Sequence, residues 1–411
     1  MTENTALVDT RKTTTKITFK TKEGIDNQGM VLIGDTDGEF TPSPRLCVLK
    51  REEGESYGFH LRIERDCRGH VIRNVAAGGI AQCSGLQNGD RLLEVNGCFV
   101  DNILHLEVTR KIKLSGQQVG LLVLDGEQYE QAVSRGHDLR DISRMHKVVD
   151  CRPPRLCHIS KQPASGLGIN FTPVEGRKGQ FSVSPVAGGA AEKAGVRKGD
   201  RLVWMNGASV SELTPSALSM MMKKCGNHIT IMVIDSESEK NYVEQGMPIL
   251  PAMAVPHNLP YKARKLHLVC GPEGYGFLLR LEAAPAGRTA HVVRKVDRGG
   301  PAGKAGMKDG EVLLEVNEES VESLTHEEIV DKVKQSTQQI SFTTIRPQGL
   351  EFYTQLGLSP LLFCEDAELQ QEKDSGVAAS SVPEQTGHTL TNAAAHVGDC
   401  EDEGNHEISY L

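Results

Sequence analysis

Among the side chains of this 411-residue chain that could do chemistry are 14 histidines, 10 cysteines and 54 acidic residues. Spacing decides whether they form a reaction centre. A nucleophile elbow needs G-x-S-x-G, a zinc-peptidase helix needs two histidines four residues apart, and a phosphate loop needs G-x-x-x-x-G-K-[S/T]. The sequence contains none of the three. HEEIV at His326 lacks its second histidine, and GLGINF (166–171) has half a dinucleotide loop without the third glycine. DTDGEF (35–40) opens like a calcium loop but has no glutamate at the bidentate position. The cysteines, from Cys47 to Cys400, include no C-x-x-C pair. They read as reduced thiols, several filling core positions. The expectation is a non-enzymatic protein with no metal and no cofactor.

What the chain does carry is repetition. GLQNGDRLLEVNG (85–97), GVRKGDRLVWMNG (195–207) and GMKDGEVLLEVNE (306–318) follow one another at offsets of 110 and 111 residues. Upstream of each lies a small-residue stretch, AAGGIAQCS, VAGGAAEKA or DRGGPAGKA. Further upstream lies a glycine loop, ESYGFHLRI, SGLGINFTP or EGYGFLLRL. Downstream come HLEVTRKIKLSG, PSALSMMMKKCG and HEEIVDKVKQST. Four landmarks in one order, three times, make a tandem array. Within each unit RLCVLK, RLCHIS and KLHLVC alternate as half-buried first strands. The glycine loop leads into a second strand, and GHVIRNV, GQFSVSPV or TAHVVRKV gives a third. A short helix stopped by glycine follows, then a strand ending in N-G turn chemistry. The next helix, from Leu104–His105 in the first unit, places Leu106, Thr109, Ile112 and Lys113 on one part-apolar face. VGLLVLD, ITIMVID or ISFTTIR closes the unit. The expected fold is mostly β: five or six strands and two helices per unit, in a small, partly open barrel or sandwich.

These landmarks resemble PDZ domains, at residues 45–126, 155–237 and 264–346. RLCHISK, GYGFLLR and SPLLF are similar to the multi-PDZ scaffolds of the sodium/hydrogen exchanger regulatory factor (NHERF) family, most of all its four-PDZ members, which carry a fourth domain beyond the point where this chain ends. The resemblance implies capture of C-terminal tails as an added strand. Their carboxylates would be held by backbone N–H groups at Tyr57, Gly58 and Phe59; at Leu167, Gly168 and Ile169; and at Tyr275, Gly276 and Phe277. The ligand's last side chain would enter pockets formed by Phe59, Leu61 and Ile112; Ile169, Phe171 and Met222; or Phe277, Leu279 and Val333. A histidine opening the second helix reads a Ser/Thr hydroxyl two residues before the ligand terminus. His105 and His326 take that place, so units one and three are expected to bind S/T-x-hydrophobic tails. Pro215 replaces the histidine in unit two, which should then prefer other ligands, with Met220, Met221 and Met222 beside it. Lys161 matches a basic residue that helps hold the carboxylate, as does Lys50 or Arg51 in unit one; Cys270 stands there in unit three. By the same resemblance the partners are membrane transporters, channels or receptors. Localisation would be cytoplasmic and peripheral at the plasma membrane, cortical or apical. The other reading is an adaptor for internal peptide segments or phosphoinositide head groups.

Charge locates the remaining segments. The net charge is −8, yet residues 365–411 hold 11 Asp/Glu and one Lys, a local −10, leaving +2 elsewhere. Such a balance disfavours general nucleic-acid binding. Residues 1–43 read as a flexible N-terminal segment, 127–154 as a charged linker, 238–263 as a proline-containing linker, and 347–411 as an acidic, largely disordered tail. LGLSPLLFCE (356–365) is an apolar island suited to docking on unit three. No stretch reaches the 18 apolar residues of a membrane span, and MTENTALVDTRK lacks a signal core. The last residues, Ser409-Tyr410-Leu411, are themselves S-x-hydrophobic. They suggest self-association or masking through the chain's own terminus.

Overall fold

A computed structural model describes residues 41–366, apart from 53, 66–67, 146–150, 164–165, 285–287 and 337–338, together with the backbone of 408–410. Residues 1–40, Cys67, Cys400 and Leu411 therefore lie outside the described residues. In the first module the elements are β1 (Arg45–Lys50), β2 (His60–Arg62), β3 (His70–Arg73), α1 (Ile80–Cys83), β4 (Arg91–Val95), β5 (Cys98–Phe99), α2 (His105–Leu114) and β6 (Gln118–Leu124). Helices α3 (Gly126–Ser134) and α4 (Leu139–Met145) follow. The second module has β7 (Arg155–Ser160), β8 (Ile169–Pro173), β9 (Phe181–Pro185), α5 (Ala190–Lys193), β10 (Asp200–Met205), β11 (Ala208–Ser209), α6 (Pro215–Lys224), β12 (His228–Ile234), α7 (Ser236–Glu244) and β13 (Val255–His257). The third has β14 (Arg264–Val269), β15 (Leu278–Ala283), β16 (Thr289–Arg294), α8 (Pro301–Lys304), β17 (Val312–Val316), β18 (Glu319–Ser320), α9 (His326–Gln335), β19 (Gln339–Ile345), α10 (Pro347–Leu356), β20 (Glu365–Asp366) and β21 (Ile408–Tyr410).

The three sheets share one order, β1-β6-β4-β3-β2 in the first module, and none closes into a barrel. Alternation in β1 turns Cys47 and Leu49 inward. The near-continuous apolar run of β6 is buried on both faces, as an internal strand requires. The recurrent landmarks have structural reasons. In each of these turns, N-G in the first two units and N-E in the third, the asparagine sits at positive φ (Asn96, 48°; Asn206, 45°; Asn317, 49°). Its side-chain oxygen accepts the N–H of Gly120, Thr230 or Ser341 on the closing strand, at 2.8–2.9 Å. The acid after each corner glycine, Asp90, Asp200 or Glu311, is buried. It pairs with the arginine that opens the first strand: Arg45, Arg155 or Arg264.

Four expectations are corrected. On α2 the buried residues are Val108 and Ile112, four apart, while Leu106 is 42% exposed. The pair that faces the core is therefore offset from the stripe read from sequence. Residues 127–154 are not a plain linker: Asp125 caps α3, which buries Tyr129 and Ala132, and α4 buries Leu139 and Ile142. Residues 238–263 contain most of α7, capped by Asp235, and β13, which adds to β7 in parallel. The tail is ordered to 366. Pro347 starts α10 and Gly357, at φ 63°, ends it. Tyr353 is fully buried and donates to the Tyr261 carbonyl at 2.7 Å. The apolar island does dock: Phe363 is buried and β20 pairs with β14.

These extensions join the modules. Leu156, Trp204 and Met232 of the second share a core with Val292, Val312 and Ile345 of the third, through Leu259, Tyr353, Leu356 and Phe363. The first module meets the third where the Arg110 guanidinium on α2 donates two bonds of 3.0 Å to the carboxylate of Glu315 on β17.

Candidate ligand-binding grooves

Each groove has an edge strand on one wall and a ten-residue helix on the other: β2 and α2, β8 and α6, or β15 and α9. The loop before the edge strand turns on a glycine with left-handed φ: Gly58 at 82°, Gly168 at 61° and Gly276 at 80°. Glycine alone adopts this without strain. A Cβ on Gly168 would lie 3.3 Å from the backbone nitrogen of Ala190. The loop carbonyls are already bonded. Gly58 O accepts from Ala76 and Tyr57 O from Ala81; Gly168 O accepts from Val186; Gly276 O accepts from Asp297 and Tyr275 O from Ala302. In the first module the Gly58 N–H donates to Ser56 Oγ at 3.1 Å, so the loop is already holding an oxygen acceptor.

The aromatic loop residues face inward. Tyr57 is 7% exposed, with its hydroxyl donating to the Gly116 carbonyl at 2.8 Å and Arg51 stacked 4.5 Å over its ring. Burial pushes the Tyr57 phenol above its ordinary range, and pushes Tyr275 up to about 12. Arg51 is occupied: its guanidinium donates to the carbonyls of Gly116 and Glu55. Lys161 is exposed in the second module. In the third, Cys270 Sγ donates to the Gly271 carbonyl at 3.6 Å.

The residues expected to line each pocket pack within one apolar cluster per module. Phe59 and Leu61 pack with Ile112 on the first core, and Ile169, Phe171 and Met222 pack on the second, all except Ile112 half-buried. Phe277, Leu279 and Val333 are buried in the third. Alongside this third pocket β21 lies antiparallel on β15, pairing Tyr410 with Leu278, Ser409 with Leu279 and Ile408 with Arg280. Among the described residues β2 and β8 end their sheets.

His105 and His326 each open a groove helix, and Pro215 opens α6 behind the Thr214 cap. The α9 start is a full capping box between Thr325 and Glu328, which holds the Glu328 carboxyl below its usual range. Two residues escaped the sequence reading. The ring of His70 on β3 stacks on His105, centroids 5.5 Å apart and planes 13° apart; His291 on β16 stacks on His326 at 5.9 Å and 23°. Their signal was available: the third strands read HVIR and HVVR in units one and three, but FSVS in unit two.

The PDZ domain family model matches residues 46–124, 156–234 and 265–345. The mouse protein named Na(+)/H(+) exchange regulatory cofactor NHE-RF4 is 39% identical over 368 residues, covering 88% of this chain and 72% of its own. Mouse NHE-RF2 is 32% identical over 232 residues, covering 48% and 68%. Chicken NHE-RF1 is 33% identical over 205 residues, covering 47% and 61%.

Proposed function

Because the chain belongs to the Na(+)/H(+) exchange regulatory cofactor (NHERF) family and is an array of three PDZ domains, we propose that it is a non-enzymatic scaffold that binds C-terminal tails. An incoming tail adds as a strand to the edge of β2, β8 or β15, its main-chain bonds giving affinity and its alternate side chains giving selectivity. Its carboxylate takes the loop N–H groups at Gly58, Gly168 and Gly276, replacing Ser56 Oγ in the first groove. Its last side chain enters the apolar pocket. His105 and His326 bond a Ser/Thr hydroxyl two residues back, while Pro215, without a donor or acceptor side chain, gives the second groove another preference.

The observation that carries this reading is β21: residues Ile408–Tyr410 of the chain itself lie antiparallel on the β15 edge. Ser409-Tyr410-Leu411 is then a ligand in cis, or in trans between copies, and masks the third groove. The relatives are named for regulation of Na(+)/H(+) exchange, which supports membrane proteins as the partner class; the reading extends this to the tails of membrane transporters, channels or receptors, clustered by several linked grooves. The protein would act peripherally beneath the membrane; among the described residues no helix is long and apolar enough to cross one. The likeness to four-PDZ members belongs to this reading as well.

The test is titration of the full chain, and of a chain lacking 408–411, with a Thr-x-Leu peptide bearing a free or an amidated terminus. One groove capturing a few residues gives a Kd near the micromolar range, about −8 kcal/mol. Removing 408–411 should expose an additional site, and amidation should abolish binding. Undiminished binding of the amidated peptide would return the grooves to internal segments. An unchanged stoichiometry would exclude masking.

A further inference from the structure

The three modules differ at three matched positions, and they differ together. Where the groove helix begins with His105 or His326, the third strand carries His70 or His291, and an acid stands four residues before the helix histidine (Asp101, Glu322). In the second module the same positions are Pro215, Phe181 and Ser211. Phe181 is 2% exposed, so an apolar ring fits this site on the third strand. A buried imidazole there carries a desolvation cost that phenylalanine avoids. His70 is likewise 2% exposed, and no hydrogen-bond partner faces either of its ring nitrogens among the described residues. Packing alone therefore favours phenylalanine, yet histidine occurs twice, only beneath another histidine.

The contact shows what the second ring does. His70 lies nearly parallel to His105, and His291 to His326, so one face of each helix imidazole is covered and its tilt is fixed. Nδ1 of His105 is buried. Asp101 accepts from the Tyr129 hydroxyl at 2.7 Å, and its charge acts on His70 in the opposite sense to burial. Burial, reinforced by His105, holds His70 below the ordinary histidine range, so the backing ring stays neutral near pH 7.

We propose that His70 and His291 are specificity-determining positioning residues: each stacks beneath the hydroxyl-reading imidazole of its groove and fixes it for the ligand's Ser/Thr. This rests on the reading of His105 and His326 given above. Hydroxyl selectivity is thus a property of a ring pair, and a groove with only the helix histidine discriminates poorly.

The experiment compares the unsubstituted protein with the His70→Phe/His291→Phe variant, each as the full chain and as the chain lacking 408–411 that opens the third groove, titrating peptides ending Thr-x-Leu and Val-x-Leu. A hydrogen bond of about 1 kcal/mol gives the wild type roughly a fivefold preference for threonine. The variant should lose most of that preference while retaining its affinity for the valine peptide. A second variant works by gain. In a chain with His105→Ala and His326→Ala, adding Pro215→His with Phe181→His should create a threonine preference that Pro215→His alone does not. Equal weakening of both peptides in the first variant would reduce His70 and His291 to packing and overturn the proposal. So would an unchanged preference, or full gain from Pro215→His alone. If the wild type shows no preference, the reading of His105 and His326 fails and this proposal with it.

Discussion

Replacing Arg110 with alanine probes the contact between the first and third modules. Glu315 is 3% exposed at its side chain, and both its oxygens accept from Arg110 at 3.0 Å. Oε2 accepts a second bond, from Thr343 Oγ1 at 2.9 Å. Removing one partner of a buried pair typically costs about 3–5 kcal/mol, because the other charge is stranded. Here Arg110 is 26% exposed, so water can follow its departure, and Thr343 retains its bond. The expected cost is accordingly lower, roughly 2 kcal/mol, or about 30-fold in the docking equilibrium. The assay is a double-mutant cycle of Arg110→Ala, Glu315→Gln and the pair, read by urea denaturation. The two single changes should be non-additive by at least about 1 kcal/mol, since Glu315→Gln removes the stranded charge. Additivity to within about 0.3 kcal/mol would refute the reasoning, showing that the pair transmits nothing between modules.

Two further outcomes concern stability. Burial, with His228 adding to it, pushes His158 down to about 4. A folded value below the unfolded one of 6.5 means that the unfolded chain takes up the proton first. This contribution is full above pH 6.5 and is lost as pH falls toward 4, by about 2–3 kcal/mol. His158→Phe should flatten that part of the urea-midpoint profile; an identical slope would show that other groups carry it. Tyr353→Phe removes the bond to the Tyr261 carbonyl inside the core joining modules two and three. It should cost about 1–2 kcal/mol and lower the calorimetric Tm by several degrees, and an unchanged Tm would mean that α10 contributes no stability by docking.

The sequence alone determined what local geometry imposes three times over. Left-handed loop glycines, turns on a positive-φ asparagine, alternating first strands and the residues opening each groove helix are short-range requirements, and recurrence lifted them above chance. It also brought Phe59, Leu61 and Ile112, and their counterparts, into common apolar clusters, because a repeated order of elements fixes which faces meet. Tertiary structure decided the rest. Segments with little periodicity became α3, α7 and α10 because neighbouring surfaces buried Tyr129, Tyr242 and Tyr353. The face of α2 depended on the strand beneath it, so Val108 displaced Leu106. Arg110 and Glu315 are 205 residues apart in sequence, and His70 and His105 sit on different elements. Contacts of this kind leave no periodic trace, because their partners are chosen by packing in three dimensions and not by spacing along the chain.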